Sequence, residues 1–471
     1  MGRDSETETW ARDVSSALSG LPPLLQGFRP SALRTTRSPQ PLRCGVRFRF
    51  LYTLTMYLAV PVILYRLAAR GLRYREYFAR WKERFGFFPR PGFDESIWVH
   101  AVSVGEVNAA VPLIEALMRR YADRRFVITT VTPTGSERVQ KLFGGRVFHV
   151  YLPYDLPASV ERFLDRVKPT LAVIMETEIW PNLFFECNRR GIPIVVANAR
   201  LSERSLRGYG PVRPLARAAI QCATHVAAQS QADAERLLAL GARPEKLSIA
   251  GNVKFDMAVP KALDSSGAMV REYWGTNRPV WIAASTHEGE EVPSIEAHTR
   301  VLKRFPDALL LLAPRHPERF RPVVQLCRQY GFRTAVRSED SVAARDSECF
   351  VIDTLGELLL FYAAADVAFV AGSLETIGGH NVLEPAALGK PVLVGPHTFN
   401  FAEITASLIA DGAALRVADA AELGDTVVRL FADPAKREAM GPAALAAVER
   451  ERGAVLRVLE IVERVMAGAP A

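Results

Sequence analysis

From about residue 86 onward, short apolar runs alternate with longer stretches whose apolar positions recur every three or four residues. The runs at 97–103, 126–131, 147–151, 171–175, 192–197, 226–229 and 247–250 are brief, apolar and rich in β-branched residues, which predicts buried strands. The intervening stretches, such as 107–121 and 158–167, carry the period of amphipathic helices. A polar, broken segment at 260–278 reads as a linker. Beyond it a second series begins, with apolar runs at 280–284, 308–313, 349–352, 367–370 and 391–394. Strands alternating with helices predict an α/β protein with two doubly wound, Rossmann-like domains, at 86–265 and 266–471. In such sheets ligands bind outside the carboxyl ends of the strands.

The pattern differs before residue 86. Residues 50–65, FLYTLTMYLAVPVILY, carry no charge and are bracketed by Arg47 and Arg49 on one side and Arg66 and Arg70 on the other. The run is shorter than the ~20 apolar residues that comfortably span a bilayer, and Pro61 weakens it as a buried soluble helix. No cleavage-site pattern follows. Instead come Arg66, Arg70, Arg73, Arg75, Arg80, Lys82 and Arg84, a basic stretch that stays cytoplasmic and attracts anionic lipid. Residues 46–85 are therefore expected to be a membrane anchor with a basic juxtamembrane segment, spanning or interfacial. The competing reading is a first helix packed on the body. Residues 1–45 are rich in Ser, Pro, Arg and Thr without periodicity, the signature of disorder or of a start upstream of the native one.

A chain of 471 residues suggests about two or three domains, and 49% hydrophobic residues suffice for sizeable cores. The net charge of +8 points to anionic partners. No nucleic-acid-binding motif accompanies it, so membrane lipid or phosphorylated substrates are expected rather than nucleic acid. Cys44, Cys187, Cys222, Cys327 and Cys349 are odd in number and scattered, which suits reduced thiols in the cytoplasm.

Candidate chemistry sits at the predicted strand ends. After the run ending at Ala371 come Gly378 and Gly379, then a helix predicted over 381–388 and closed by Gly389. This reads as an anion site of free backbone amides and a helix N-terminus, with Glu384 placed to accept from a ribose. After the first strand, Gly105 turns the chain and Glu106 opens a helix. Such a carboxylate either serves as a general base facing the cleft or stabilises its own helix. Glu176 and Glu178 are expected on opposite faces of a continuing strand. Arg200 and Arg204 are candidates to meet an anionic acceptor. The loops 285–291, 313–317 and 355–357 are predicted to lie beside the glycine turn at one sheet edge, where Arg315 can meet a phosphate bidentately. His287 and His316 lack zinc-type spacing, and there is no Asp-x-Asp pair, dinucleotide fingerprint or P-loop.

Taken together, HAVSVGEVNA, ETEIWPN, GNVKFD, AASTHEGEE, LAPRHPERF and GGHNVLEPAALGKPVLVGPHTFNF resemble the 3-deoxy-D-manno-octulosonate (Kdo) transferases of lipopolysaccharide assembly, from about residue 50 to the C-terminus. The resemblance implies a GT-B glycosyltransferase, with two Rossmann-like domains facing across a cleft. It implies CMP-Kdo as donor, a lipid A precursor (lipid IVA) as acceptor, inversion at the sugar, and neither metal nor cofactor. It places the enzyme on the cytoplasmic face of the inner membrane, among anionic lipids. By matching motif, Glu106 takes the place of the catalytic base. Pro314 and Arg315, then Leu355, Gly356 and Glu357, then Asn381, Val382, Leu383 and Glu384 take the places that hold CMP. Glu375 stands nine residues before Glu384, so the glutamate-x7-glutamate spacing of other GT-B enzymes is absent. Two other readings stay open: a GT-B transferase using a UDP-sugar on another membrane lipid, and a membrane-tethered binding module.

Overall fold

The computed structural model describes residues 43–73, 78, 80–257, 259–260, 262–339 and 346–468. The disorder expected for residues 1–45 concerns positions outside these up to residue 42.

Two seven-stranded sheets make up the body, and every pairing in them is parallel. The first contains β1 (Ser96–His100), β2 (Phe126–Thr130), β3 (Phe148–Tyr151), β4 (Pro169–Met175), β5 (Ile194–Ala199), β6 (His225–Ala228) and β7 (Leu247–Ile249), in the order β3-β2-β1-β4-β5-β6-β7. The second contains β8 (Val280–Thr286), β9 (Leu309–Pro314), β10 (Thr334–Val336), β11 (Cys349–Val351), β12 (Val367–Val370), β13 (Val392–Val394) and β14 (Ala414–Arg416), in the order β10-β11-β9-β8-β12-β13-β14. Both faces of each sheet are covered, so the strands are apolar throughout rather than alternating. Along β1, Trp98 enters one core while Ile97 and Val99 enter the other, as the two-residue period of a strand requires.

The strand order reverses direction between β1 and β4 in the first sheet and between β8 and β12 in the second. At each reversal the flanking connections leave to opposite sides and open a crevice at the carboxyl edge. Those two crevices are where the loops of interest emerge.

The expected linker at 260–278 is mostly a helix, Ala262–Trp274. Asp264, Ser265 and Glu272 face solvent, but Arg271 pairs with Asp366 at 2.9 Å, Trp274 is buried and Gly267 lies against Ala363, where a Cβ would come within 2.7 Å. The terminal helix Ala454–Met466 packs its apolar face on the core of the first sheet, although residues 266–471 were expected to form the second domain. Asp256 fixes this crossing, since its carboxylate accepts the amides of Gly453 and Val455, both at 2.6 Å.

Near the N-terminus a helix runs over Arg43–Arg73, and its segment Phe48–Ala69, 22 residues, is long and apolar enough to cross a membrane. Pro61 lies inside it without ending it. Phe50, Leu58 and Tyr65 are exposed, so the helix does not pack on the body along its length. It is fastened at one end: the Tyr52 hydroxyl donates to Asp155 at 3.0 Å, and Thr53 to Asn182 at 3.1 Å. Part of the basic segment departs from the lipid-facing role expected for it. Arg80 and Arg84 stack on the Tyr151 ring, at 5.1 and 4.3 Å from its centroid. Arg80 also pairs with Glu83 at 2.7 Å, and Arg84 donates to the Val131 carbonyl at 2.8 Å. These two guanidiniums are structural pins of the first sheet.

Candidate active site

β1 runs out at His100, and the helix Val104–Arg120 begins with Ser103 at its N-cap position. Glu106 stands in the first turn of that helix. Its Oε2 accepts the Val102 amide at 2.8 Å, and the Ser103 hydroxyl lies 3.4 Å from its Oε1. The carboxylate thus stabilises its own helix start and also lines the crevice. Burial pushes its pKa up to about 7, against the lowering effect of the Val102 amide, and the negative charges of Glu176 and Glu178 add to the rise.

Glu176 and Glu178 are not on opposite faces of a strand. β4 stops at Met175, and Glu176 turns with φ +55°, so both carboxylates come close enough to act on Glu106. Lys254, which follows β7 at the same edge, lies 3.9 Å from Glu176 and 5.5 Å over the Phe401 ring of the second half. Lys254 is not among the residues that the sequence singles out. The available signal was its place at a strand end within GNVKFD. Arg200 and Arg204 lie beyond β5 on that carboxyl edge too.

In the second sheet the order β11-β9-β8-β12 brings the four expected loops side by side. The Arg315 amide donates to the Thr286 carbonyl at 2.9 Å, which joins the loop after β9 to the end of β8. Gly378 and Gly379 take φ of +107° and +80°, as the tight turn demands. The expected anion site is corrected at the turn itself, where the Gly379 amide is taken by the Gly372 carbonyl at 2.6 Å, and at the helix after it. The helix after the turn is one turn long, Leu383–Ala386, so it has little macrodipole to offer. Upstream of the turn, the buried carboxylate of Glu290 accepts the amides of Gly372, Ser373 and Leu374.

Within that short turn Asn381 holds the local geometry. Its Oδ1 accepts the Leu383 amide at 3.2 Å, and its Nδ2 donates to Glu384 at 3.1 Å. Val382 and Leu383 point into the core, so only their backbone faces the crevice. Burial raises the pKa of Glu384, and Asn381, Arg315 and Arg138 oppose the rise. Pro314 closes β9. On the next loop Leu355 is exposed and Gly356 takes φ +96°. The Glu357 carboxylate is held by Arg337, at 2.5 and 3.1 Å, and by the Thr354 hydroxyl, which leaves backbone rather than a free carboxylate at that position. His287, His316 and His380 cluster beside Arg315, with neighbouring rings 5.0 Å apart.

One side chain ties the two crevices together. Arg138, on the helix Pro133–Phe143 of the first half, donates through Nε to Asn108 at 2.6 Å, two residues beyond Glu106. Its charge acts on Glu384 and against Arg315, both in the second half. The wall carrying Glu106 and the wall carrying the glycine turn therefore face one another.

Residues 79–257 match the family model described as 3-Deoxy-D-manno-octulosonic-acid transferase (kdotransferase). The chain is 41% identical over 422 residues to a 3-deoxy-D-manno-octulosonic acid transferase of Haemophilus influenzae, which spans 88% of this chain and 98% of that one. It is 39% identical over 433 residues to the enzyme of the same name from Bordetella pertussis, covering 88% and 99%. A solved glycosyltransferase from Rickettsia africae superposes with a TM-score of 0.52 at 12% identity, over 80% of this chain and 99% of that one, and shares the GT-B fold. The chain belongs to the 3-deoxy-D-manno-octulosonic acid transferases, glycosyltransferases of lipopolysaccharide biosynthesis.

Proposed function

We propose that this Kdo transferase takes its sugar from CMP-Kdo and delivers it, with inversion and without a metal ion, to a hydroxyl of the lipid A precursor lipid IVA at the cytoplasmic face of the inner membrane. The observation that carries the reading is Glu106: a half-buried carboxylate at the switch point of the first sheet, poised at about 7, opposite the glycine turn. A base of that strength is ionised near neutral pH and still takes a proton readily, an effect that contributes typically 10²–10⁴-fold.

In this mechanism the 6'-hydroxyl of the lipid glucosamine enters beside Glu106. Its proton passes to the carboxylate as its oxygen attacks C2 of the Kdo unit. The bond from C2 to the phosphate oxygen breaks on the opposite face, and CMP leaves with the bonding pair. Arg315, aided by the field of Arg138, meets the charge that builds on the phosphate. Glu384 and the backbone around Asn381 accept and donate to the cytidylate, joined by Pro314 and by the backbone at Leu355, Gly356 and Glu357. The exposed apolar helix Phe48–Ala69 supports a membrane-bound enzyme, within reach of a lipid acceptor.

The test is mass spectrometry of lipid IVA incubated with the full-length enzyme and a CMP-Kdo source. Glu106→Gln is expected to lower Kdo addition at least 10²-fold, while CMP still raises its melting temperature. A chelator should leave turnover unchanged. Near-normal turnover of the variant removes Glu106 from the mechanism, and a protein stabilised by UDP but not CMP removes the donor.

A further inference from the structure

The first half carries a second concave site, away from Glu106. It lies between the helices Arg213–Ile220 and Gln231–Leu240 and the loop at 241–244, and has a volume of about 670 Å³. Gln221 leads into β6 and the loop leads into β7, so the pocket opens toward the amino-terminal edge of the sheet, opposite the edge that bears the reaction.

Three arginines line it, Arg213, Arg217 and Arg243, and no carboxylate does. Among the described residues, no acidic group lies within ion-pair distance of any of the three. The walls are shaped around them. Gly241 takes φ +123°, and a Cβ there would lie 2.3 Å from Arg217 Cγ, so the glycine leaves room for the arginine stem. Arg213 donates to the Ala239 carbonyl at 2.5 Å, and Gln221 donates to the Gly241 carbonyl at 3.1 Å. Like charges brought together without a counter-charge repel one another, and three exposed guanidiniums, one of them held by a backbone carbonyl, offer the donor forks that a phosphate accepts.

The neighbourhood says where the phosphate comes from. Leu238 lines the pocket and Val212 adjoins Arg213, and both are exposed apolar residues. Arg49, on the apolar N-terminal helix, stacks 5.1 Å over Phe185. Its charge acts, with those of Arg243 and Lys246, on the Cys222 thiol next to Gln221. A cationic hollow with an apolar rim, beside the end of a helix long enough to enter a bilayer, is built for the headgroup boundary of a membrane.

We propose that Arg213, Arg217 and Arg243 bind the phosphate of an anionic phospholipid headgroup, a lipid contact separate from the reacting hydroxyl of the acceptor. The site would hold the body against the membrane from the side opposite the donor crevice.

The experiment uses full-length enzyme in mild detergent, titrated with phosphatidylglycerol and followed by native mass spectrometry. Wild type is expected to retain one more phosphatidylglycerol than the variant R213Q/R217Q/R243Q, whose occupancy at that step falls at least several-fold. Gly241→Val, which displaces Arg217 without removing charge, should lower the same occupancy. Circular dichroism melting of each lipid-free variant establishes that it is folded. A parallel arm adds inorganic phosphate: failure to displace the lipid supports a headgroup, and full displacement supports the phosphate site while assigning it to a soluble phosphoester. Equal lipid retention by wild type and the folded triple variant, with no phosphate-induced shift in melting temperature unique to wild type, overturns the proposal.

Discussion

Glu290 Oε2 accepts the Gly372 amide at 2.7 Å, while its Oε1 accepts those of Ser373 and Leu374, both at 2.9 Å. Through this one side chain the loop after β8 closes the loop after β12, across the switch point of the second sheet. Glu290 is fully buried, and these charge-assisted bonds replace its hydration. Glu290→Ala would strand these three amides and that of His287, which donates to Oε2 at 3.1 Å. The expected loss is about 3 kcal/mol or more in denaturant unfolding, and Glu290→Gln should fall between the variant and wild type. A loss below about 1 kcal/mol for the alanine variant would show that the amides find other partners.

The raised pKa of Glu106 has a stability consequence as well as a catalytic one. The carboxyl titrates near 4.5 when unfolded and at about 7 when folded. Between those values the unfolded chain gives up the proton first, so the folded state loses stability as pH rises through the window, and the loss is complete above it. Glu106→Gln keeps an acceptor for the Val102 amide and removes the charge. It should be the more stable protein at pH 8, by up to about 3 kcal/mol, while being the poorer catalyst. A variant no more stable than wild type at that pH would mean that Glu106 is better solvated than its burial implies.

The same electrostatics predict the pH profile of Kdo transfer. Activity should rise as pH passes through about 7, because the base must be ionised. Glu176→Gln removes a negative charge that raises the Glu106 pKa, so the inflection should move to lower pH whatever happens to the maximal rate. An inflection that stays in place would exclude Glu176 from the field felt by the base.

Much of this was legible in the chain, and what was not has physical causes. Long apolar runs such as that of β4 mark the buried strands, and their alternation with helices implies parallel sheets; the strand order comes only from the fold. The strands Thr334–Val336 and Ala414–Arg416 lie at the two edges of the second sheet and are only partly buried, so no apolar run marks them. The helix Ala262–Trp274 read as a linker because its packing depends on Gly267 meeting Ala363, a contact with no local signature. Glu106 could be found because Gly105 and a strand end precede it in sequence. The meeting of Lys254 with Glu176, of Glu357 with Arg337, and of Glu290 with Gly372 joins side chains from separate loops, and only the fold brings them together. Arg80 and Arg84 were read as lipid-facing because a sequence shows their charge and not the Tyr151 ring beneath them.

His287 Nε2 lies 2.8 Å from His380 Nε2, so one ring must donate and the other accept, and protonating both breaks the contact. Burial pushes the His380 pKa down to about 4, with His287, Arg315 and His316 adding to the effect. Burial also lowers that of His287, where Glu290 opposes the fall. A depressed histidine is protonated first in the unfolded chain, so stability should be lost as pH falls from about 6.5 toward 4. His380→Gln, measured by melting temperature against pH, should flatten that limb. An unchanged slope would assign the acid sensitivity elsewhere.

The fastening of the N-terminal helix can be tested apart from any lipid. Asp155 is buried and accepts the amides of Asn182 and Leu183 at 2.9 and 2.8 Å as well as the Tyr52 hydroxyl. Its side chain serves the body first and the helix second. Tyr52→Phe with Thr53→Val deletes two hydrogen bonds from the helix side, worth about 1 kcal/mol each, and leaves the Asp155 bonds to the backbone and the Arg49 bond to Asn182 intact. The expected result is faster proteolytic cleavage within the helix, several-fold in rate, with little change in the melting temperature of the body. Asp155→Ala should lower that melting temperature as well, because two amides then lose their acceptor. If the double variant is cleaved no faster than wild type, the polar fastening at Tyr52 and Thr53 is incidental, and the helix is held by its apolar contacts together with Arg49, which donates to Asn182 at 3.3 Å and stacks on Phe185.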